Sequence, residues 1–97
     1  MYNFNTKFDY DLLKSKSNLE KHGLSFEEAT QLWAGGFFYE AKTRYAAENR
    51  WIRVGKIDGK IYSCFYTIRD DAIRIISCRR SRDEEKEKYY EKAQENN

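Results

Sequence analysis

"RWIRVGKIDGKIYSCFYTIRDDAIRIISC", residues 50–78, is the stretch that decides the fold. Apolar and polar residues alternate on both sides of Asp58-Gly59, the dipeptide best suited to a two-residue β-hairpin turn. The polar run Arg69-Asp70-Asp71 then separates a further apolar segment from this hairpin. The pattern therefore predicts an antiparallel meander, with strands at residues 50–57, 60–68 and 72–78.

Two helices are predicted ahead of the meander. The first runs from Asp9 to His22, and Gly23 is placed to end it. Ser25 and Glu28 form a capping-box pattern that starts the second helix, because each side chain can bond the backbone N–H of the other. Gly35-Gly36 then stops that helix.

One more candidate strand, residues 37–41, follows the glycines, and a charged helix runs from Ser81 or Arg82 to about Glu95. The order is helix, helix, three or four antiparallel strands, helix. This order predicts an α+β fold with the helices packed on one face of the sheet and the other face free for a ligand or partner. Residues 1–97 are expected to form a single domain.

Composition excludes several classes of protein. Net charge is only +2, but all eight arginines lie between Arg44 and Arg82, which predicts a local basic surface. The two cysteines, Cys64 and Cys78, are expected to be buried free thiols. No signal peptide or membrane-spanning run is seen, so a cytoplasmic protein is expected. One histidine and two separated cysteines give no zinc pattern, and no cofactor is expected.

Arginine is the residue type left to carry chemistry. The arginines at or near strands are Arg50, Arg53, Arg74, Arg79, Arg80 and Arg82. Guanidinium groups can grip phosphate through two hydrogen bonds, and aromatic rings such as Tyr66 or Trp51 can stack on bases. The alternative is that these arginines reach solvent or pair with nearby carboxylates. The cluster favours RNA as the ligand.

The turn after the second meander strand leaves the position of Arg74 open. A three-residue turn pairs Tyr66 with Arg74, whereas a two-residue turn pairs Thr67 with Arg74 and brings it onto the face of Arg50. A one-residue slip moves every side chain to the opposite face. Regular alternation also places Arg74 and Arg79 on opposite faces, so a bend or bulge near Cys78 is needed if they are to converge.

Three segments, in this order, carry a resemblance to a known family. They are "FDYDLLKSKSNLEKHGLSFEEATQLW" (8–33), "ENRWIRVGKIDGKIYSCFYT" (48–67) and "IRIISCRRSRDEEKEKYYE" (73–91). Their Lys-His-Gly, Glu-x-Arg and Ile-Arg-Ile-Ile-Ser-x-Arg patterns resemble those of the BrnT family of bacterial toxins. The resemblance spans roughly residues 4 to 91.

The resemblance implies a ribonuclease toxin of a type II toxin–antitoxin pair, with a RelE-like fold. It implies cleavage of RNA without a metal, and silencing by a cognate, BrnA-like antitoxin. Operator DNA would be reached only through that antitoxin. The alternative is a non-catalytic RNA- or protein-binding module that acts in transcriptional control with its antitoxin.

Matching the motifs residue by residue implies a set of site residues. The catalytic candidates are His22, Arg50, Arg74, Arg79 and Glu85, and the substrate-binding candidates are Arg80, Tyr66 and Tyr89. Arginine's high pKa makes it a charge clamp rather than a base, so the three catalytic arginines are interpreted as phosphate clamps. His22 or Glu85 is interpreted as the proton-transfer group. For His22, a simpler interpretation is a cation that stabilises the end of a helix.

Overall fold

The computed structural model describes residues 6–43 and 49–95, so Arg44 lies outside the described residues. The first helix, α1 (Leu12–His22), begins where the Asp11 carboxylate accepts hydrogen bonds from the N–H groups of Leu13 and Lys14. It ends at Gly23, whose φ of 75° is left-handed and costs glycine little. The first predicted helix and its end are therefore confirmed, but it begins at Leu12 rather than at Asp9, because Asp9 belongs to a short strand.

The predicted capping box opens the second helix, α2 (Phe26–Ala29). The Ser25 hydroxyl accepts from the Glu28 N–H at 3.0 Å, and the Glu28 carboxylate accepts from the Ser25 N–H at 2.9 Å. The chain continues as a 3₁₀ turn, Thr30–Trp33, up to the two glycines. A third helix, α3 (Asp83–Glu95), follows the sheet.

The sheet has five strands. They are β1 (Lys7–Asp9), β2 (Phe38–Lys42), β3 (Trp51–Ile57), β4 (Lys60–Arg69) and β5 (Ala72–Arg80). Their spatial order is β1-β5-β4-β3-β2, and every neighbouring pair is antiparallel except β1 with β5. The α+β fold and the meander are confirmed, and the short parallel strand β1 is an addition that alternation over three residues did not reveal.

Two tight turns fix the register. Asp58 and Gly59 both have positive φ, 50° and 79°, as a two-residue hairpin turn requires. The second turn also has two residues, because Asp70 and Asp71 adopt φ of 52° and 63° and Arg69 pairs with Ala72. The two-residue alternative is therefore the correct one, and Thr67 pairs with Arg74.

A β-bulge in β5 changes which side chains share a face. Tyr66 pairs with Ile75 while the preceding residue of β4, Phe65, pairs with Ser77, so Ile76 is an extra residue. Arg74 and Arg79 therefore pair with Thr67 and Ser63, which are four residues apart on β4. Because an even separation along a strand keeps the same side, Arg74 and Arg79 lie on one face of the sheet.

Both faces of the sheet carry an apolar cluster. The α2 face, defined by Tyr62, Cys64 and Tyr66, packs against α2 and the 3₁₀ turn. The α3 face, defined by Ser63, Phe65 and Thr67, receives Tyr89 of α3 where β2, β3 and β4 lie side by side. The expectation that all helices pack on one face is wrong. The α3 face contains its own buried side chains, which need a cover: Tyr39, Val54 and Ile61.

The two cysteines lie directly opposite each other on β4 and β5, on the α2 face. Both are free and fully buried, as the sequence predicts. Burial raises the pKa of the Cys64 thiol well above its ordinary value, with the nearby Cys78 adding to the effect. Among the described helices, none is long and apolar enough to cross a membrane.

Candidate functional site

Nine side chains form a three-by-three array on the α3 face. The array follows from the pairing register, from alternation along β3 and β4, and from the bulge at Ile76 in β5. The first row comes from β3 and the residue before it: Arg50, Ile52 and Val54. The middle row comes from β4: Thr67, Phe65 and Ser63. The third row comes from β5: Arg74, Ser77 and Arg79. We call this set the arginine array. Helix α3 packs near its Val54 end, and the arginine-rich opposite end is not under that helix.

The Arg50–Arg74 end of the array borders a polar cavity of about 210 Å³. Its lining includes four cationic side chains: Lys14, Arg50, Arg69 and Arg74. Asp11 is the acidic residue among the lining side chains. A concave site with an excess of cations focuses a positive potential that attracts anions such as phosphate.

Arg74 is held at this end by an ion pair with Asp9 of β1. Its Nη1 lies 2.6 Å from the Asp9 Oδ2, and the two side chains are 30% and 50% exposed. Ion pairs this open to water contribute little to stability. Arg74 can therefore exchange Asp9 for a phosphate at low cost.

Arg79, at the opposite end, is held by Glu85 of α3. Its two terminal nitrogens donate to the two carboxylate oxygens at 2.8 and 3.0 Å. The guanidinium carbon lies 5.2 Å from the centre of the Phe65 ring. Bidentate geometry fixes the plane of the guanidinium as well as its position, so the group is oriented over the array.

Glu85 is kept ionised by its surroundings. Burial alone would raise the pKa of Glu85. Its carboxylate accepts hydrogen bonds from Arg79, from the Arg82 N–H at 2.8 Å and from the Ser63 hydroxyl at 2.9 Å. These bonds and the positive charge of Arg79 hold the pKa below its usual range. A carboxylate with a lowered pKa is a weak base. The geometry suits Glu85 to positioning Arg79.

Helix α1 adds a basic border along the β5 side of the array. A cavity of about 200 Å³ between α1 and β5 is lined by His22, Lys21, Ser17 and by Ser77 of the array. His22, the last residue of α1, is exposed. The only titratable imidazole of the chain thus shares a cavity with the middle residue of the β5 row.

Three candidates from the sequence are not members of the array. Tyr66 is on the α2 face, 3% exposed, and its hydroxyl bonds the Glu40 carboxylate. Tyr89 is 6% exposed, its ring packed edge-on against Phe37 at 5.3 Å. Arg80 is exposed, but it pairs with Tyr62 and so belongs to the α2 face. Tyr66 and Arg80 thus lie on the face opposite Arg74 and Arg79, whereas Tyr89 packs on the α3 face in the apolar cluster that includes Val54.

Arg53 is a structural arginine. It is 2% exposed, and its Nε donates to the Leu32 carbonyl at 2.8 Å while Nη1 donates to Glu40 at 2.8 Å. Its guanidinium also stacks on the Phe38 ring, 3.4 Å from the centroid. This arginine links β3 to β2 and to the 3₁₀ turn on the α2 face.

Phe65 is a member of the array that the candidates from the sequence do not include. It lies in the centre of the array, partly exposed, between the three arginines. The sequence does contain a signal for the position of Phe65. The predicted hairpin pairs Ile52 with Phe65, and alternation places Ile52 and Arg50 on the same face, so Phe65 is expected beside Arg50. The sequence left the register at Arg74 open, and one of the two registers pairs Arg74 with Tyr66. Tyr66, which lies on the opposite face from Phe65, was therefore the predicted aromatic residue.

A metal centre is not formed by the described residues, in which no group of three or more His, Cys, Asp or Glu side chains is close enough to hold an ion. Comparison with protein families gives one match. A family model described as "Ribonuclease toxin, BrnT, of type II toxin-antitoxin system" matches residues 10–85, which include every member of the arginine array. A search of the curated proteins found no match.

Proposed function

This chain belongs to the BrnT family of ribonuclease toxins of type II toxin–antitoxin systems, and on that premise we propose that it is a metal-independent endoribonuclease that binds and cleaves RNA on the arginine array. Membership implies an RNA substrate and a cognate antitoxin. The assignment of the chemistry to particular residues is the proposal.

The observation that carries the proposal is the common face of Arg74 and Arg79, with Phe65 between them and Arg50 in the cavity beside Arg74. Arg74 and Arg79 pair with residues four apart on β4, a distance of roughly 13 Å at about 3.3 Å per residue. Arginines at this spacing can grip different phosphates of one single strand. An aromatic ring between them can stack on a base.

The reaction consistent with these residues is attack by a ribose 2′-oxygen on the neighbouring phosphorus. The new bond joins the 2′-oxygen to phosphorus, the bond from phosphorus to the 5′-oxygen breaks, and the products are a 2′,3′-cyclic phosphate and a 5′-hydroxyl. One proton leaves the 2′-hydroxyl and one is delivered to the 5′-oxygen. Arginines stabilise the negative charge that develops on the phosphorane oxygens.

His22 is the proposed proton-transfer residue and Glu85 the proposed positioning residue. The support for His22 is its exposure at the edge of the array, in a cavity shared with Ser77. The support for Glu85 is its bidentate bond to Arg79 and its lowered pKa. Neither residue acts through a metal in this scheme.

The test is cleavage of single-stranded RNA in EDTA by the purified full chain. We expect Arg74→Ala/Arg79→Ala to lower the rate by about 10²-fold or more, as loss of preorganised charge stabilisation does in other enzymes. Arg80→Ala is the matched control, because this exposed arginine adjoins Arg79 but lies on the α2 face, and its rate should be unchanged. A folded double variant with the wild-type rate would overturn the assignment.

A second candidate is RNA binding without cleavage. It is favoured by the pairing of both Arg74 and Arg79 with carboxylates of the chain itself, and by the weak basicity of Glu85. The same assay separates the two candidates. Tight binding that leaves the RNA intact supports the binding module, whereas cleavage that survives chelation supports the enzyme.

A further inference from the structure

Helix α1 is packed with its polar side inward. Its buried residues are Ser15 and Asn18, both 7% exposed, whereas Leu12, Leu13 and Leu19 are 77%, 79% and 46% exposed. An amphipathic helix on a protein normally buries its apolar side. We call the three exposed leucines the leucine strip.

Hydrogen bonds hold α1 on the protein in place of apolar contacts. The Ser15 hydroxyl accepts from the Phe26 N–H at 2.9 Å. The Asn18 amide donates to the Leu24 carbonyl at 2.7 Å and accepts from the Cys78 N–H at 3.3 Å. The leucine strip is therefore not part of the described core, and a further contact is the physical reason to keep leucines there.

The charges around the strip define the chemistry of that contact. Besides its leucines, α1 exposes Lys14, Lys16 and Lys21 against the single carboxylate of Glu20. Lys14 and Lys21 also line the two cavities that border the arginine array. Lys14 and Lys21 therefore bring the positive charge of α1 next to that of the array, and the electrostatic complement of these cations is acidic.

We propose that the leucine strip is the docking surface for an amphipathic helix of the cognate antitoxin, whose apolar side covers the leucines and whose acidic side chains extend over Lys14 and Lys21 toward the arginine array. The antitoxin itself follows from the family, and its use as an RNA competitor rests on the proposed function. A partner bound in this way blocks RNA from the array by both bulk and charge.

A second copy of this chain fits the surface poorly. Three leucines form a patch on the order of a few hundred Å², whereas a standard interface covers about 800 Å² on each partner. Such an interface must extend onto the neighbouring lysines and arginines. Two copies would then bring like charges together, whereas an acidic helix would pair with them.

The experiment measures binding of the cognate antitoxin to the Leu12→Gln/Leu19→Gln variant, by titration calorimetry. Glutamine keeps helix propensity, so we expect an unchanged thermal midpoint and RNA cleavage, with antitoxin affinity at least 10-fold weaker. The matched control is Ile68→Gln, an isoleucine of β4 that is 54% exposed and outside α1, and it should keep wild-type affinity. Unchanged affinity in the leucine variant would overturn the proposal.

Two further measurements separate the remaining outcomes. Affinity should fall as salt rises if the partner is acidic, and salt-independent binding would contradict that chemistry. If the wild-type chain alone self-associates and the leucine substitutions abolish this, the strip is a contact between copies and the proposal is wrong. A chain that leaves RNA intact but loses antitoxin affinity on substitution contradicts the proposed ribonuclease and supports the docking surface.

Discussion

Glu85 receives four hydrogen bonds at the start of α3, and all of them favour its charged form. Two come from Arg79, so the carboxylate sets the orientation of the guanidinium at one end of the array. A residue that the family resemblance nominates for proton transfer is thus better suited to hold another residue in place. His22 has the access that Glu85 lacks.

Replacing Glu85 by glutamine should reveal this role in the pH dependence of stability. The pKa of Glu85 is lower in the folded state than in the unfolded state. The ionised carboxylate therefore stabilises the protein above the unfolded pKa of about 4.3, and this stabilisation is lost as pH falls through the folded value. We expect Glu85→Gln to lower the free energy of unfolding at pH 7 by about 1–2 kcal/mol. Urea unfolding at pH 7 and pH 3 checks this, and a difference from wild type that is as large at pH 3 would contradict it.

At the scale of single elements, Gly55 lets β3 approach the 3₁₀ turn. A Cβ added at this position would lie 2.9 Å from Leu32 Cδ2, closer than carbon atoms normally pack. Leu32 is 3% exposed, so its side chain is part of the core. The absence of a side chain at Gly55 therefore sets the spacing between this strand and the turn.

Gly55→Ala should destabilise the protein by about 1–3 kcal/mol, the usual cost of overpacking a core. The control is Lys56→Ala, at the exposed neighbouring position, with an expected change below about 0.5 kcal/mol. Chemical denaturation measures both. Shortening the neighbour in Gly55→Ala/Leu32→Val should recover part of the lost stability, and strictly additive losses would count against the contact.

The elements that the sequence reveals are those with local signals. Asp58-Gly59 predicts the first hairpin and its register, and the Ser25–Glu28 capping box predicts α2. The second turn stayed open because Asp70 and Asp71 adopt left-handed backbone without a glycine to signal it. Sequence alternation cannot show the bulge, since Ile75 and Ile76 are both apolar and suit either face.

The sequence proposes arginine as the residue type of the candidate site, and this stays a prediction. The geometry was less predictable, because the common face of Arg74 and Arg79 depends on the extra residue Ile76. Tyr66 was predicted to bind substrate, and the two-residue turn, which pairs Thr67 with Arg74, places it on the opposite face. The face on which α3 packs depends on contacts between residues far apart in the sequence, because Tyr89 of α3 completes the apolar cluster formed by residues of the strands.

The whole molecule is nearly balanced in charge, at +2, yet its cations are unevenly placed. The arginine array and the neighbouring lysines of α1 lie on one side, where cavities gather several of them together. Local placement, rather than net charge, determines how a flexible polyanion is attracted.

RNA binding should therefore depend steeply on salt. If four phosphates are neutralised, the logarithm of the binding constant should fall with the logarithm of salt concentration at a slope of about −3, at roughly −0.7 per phosphate. Fluorescence anisotropy with a 2′-deoxy strand, which lacks the attacking hydroxyl, measures binding without cleavage. The slope should become shallower by about 1.4 in Arg74→Ala/Arg79→Ala. Arg80→Ala should keep it, and an equal reduction there would contradict the location.

The parallel pairing of β1 with β5 has a consequence for the order of events during translation. Asp9 and Arg74 are 65 positions apart, which corresponds to roughly 3–13 seconds of synthesis at 5–20 residues per second. Helix α1 with its leucines leaves the ribosome before Arg74 and Arg79, the two arginines of the array in β5. The docking surface is thus made before the RNA-binding surface is complete. We expect a nascent toxin to be open to capture by its antitoxin before it is able to act.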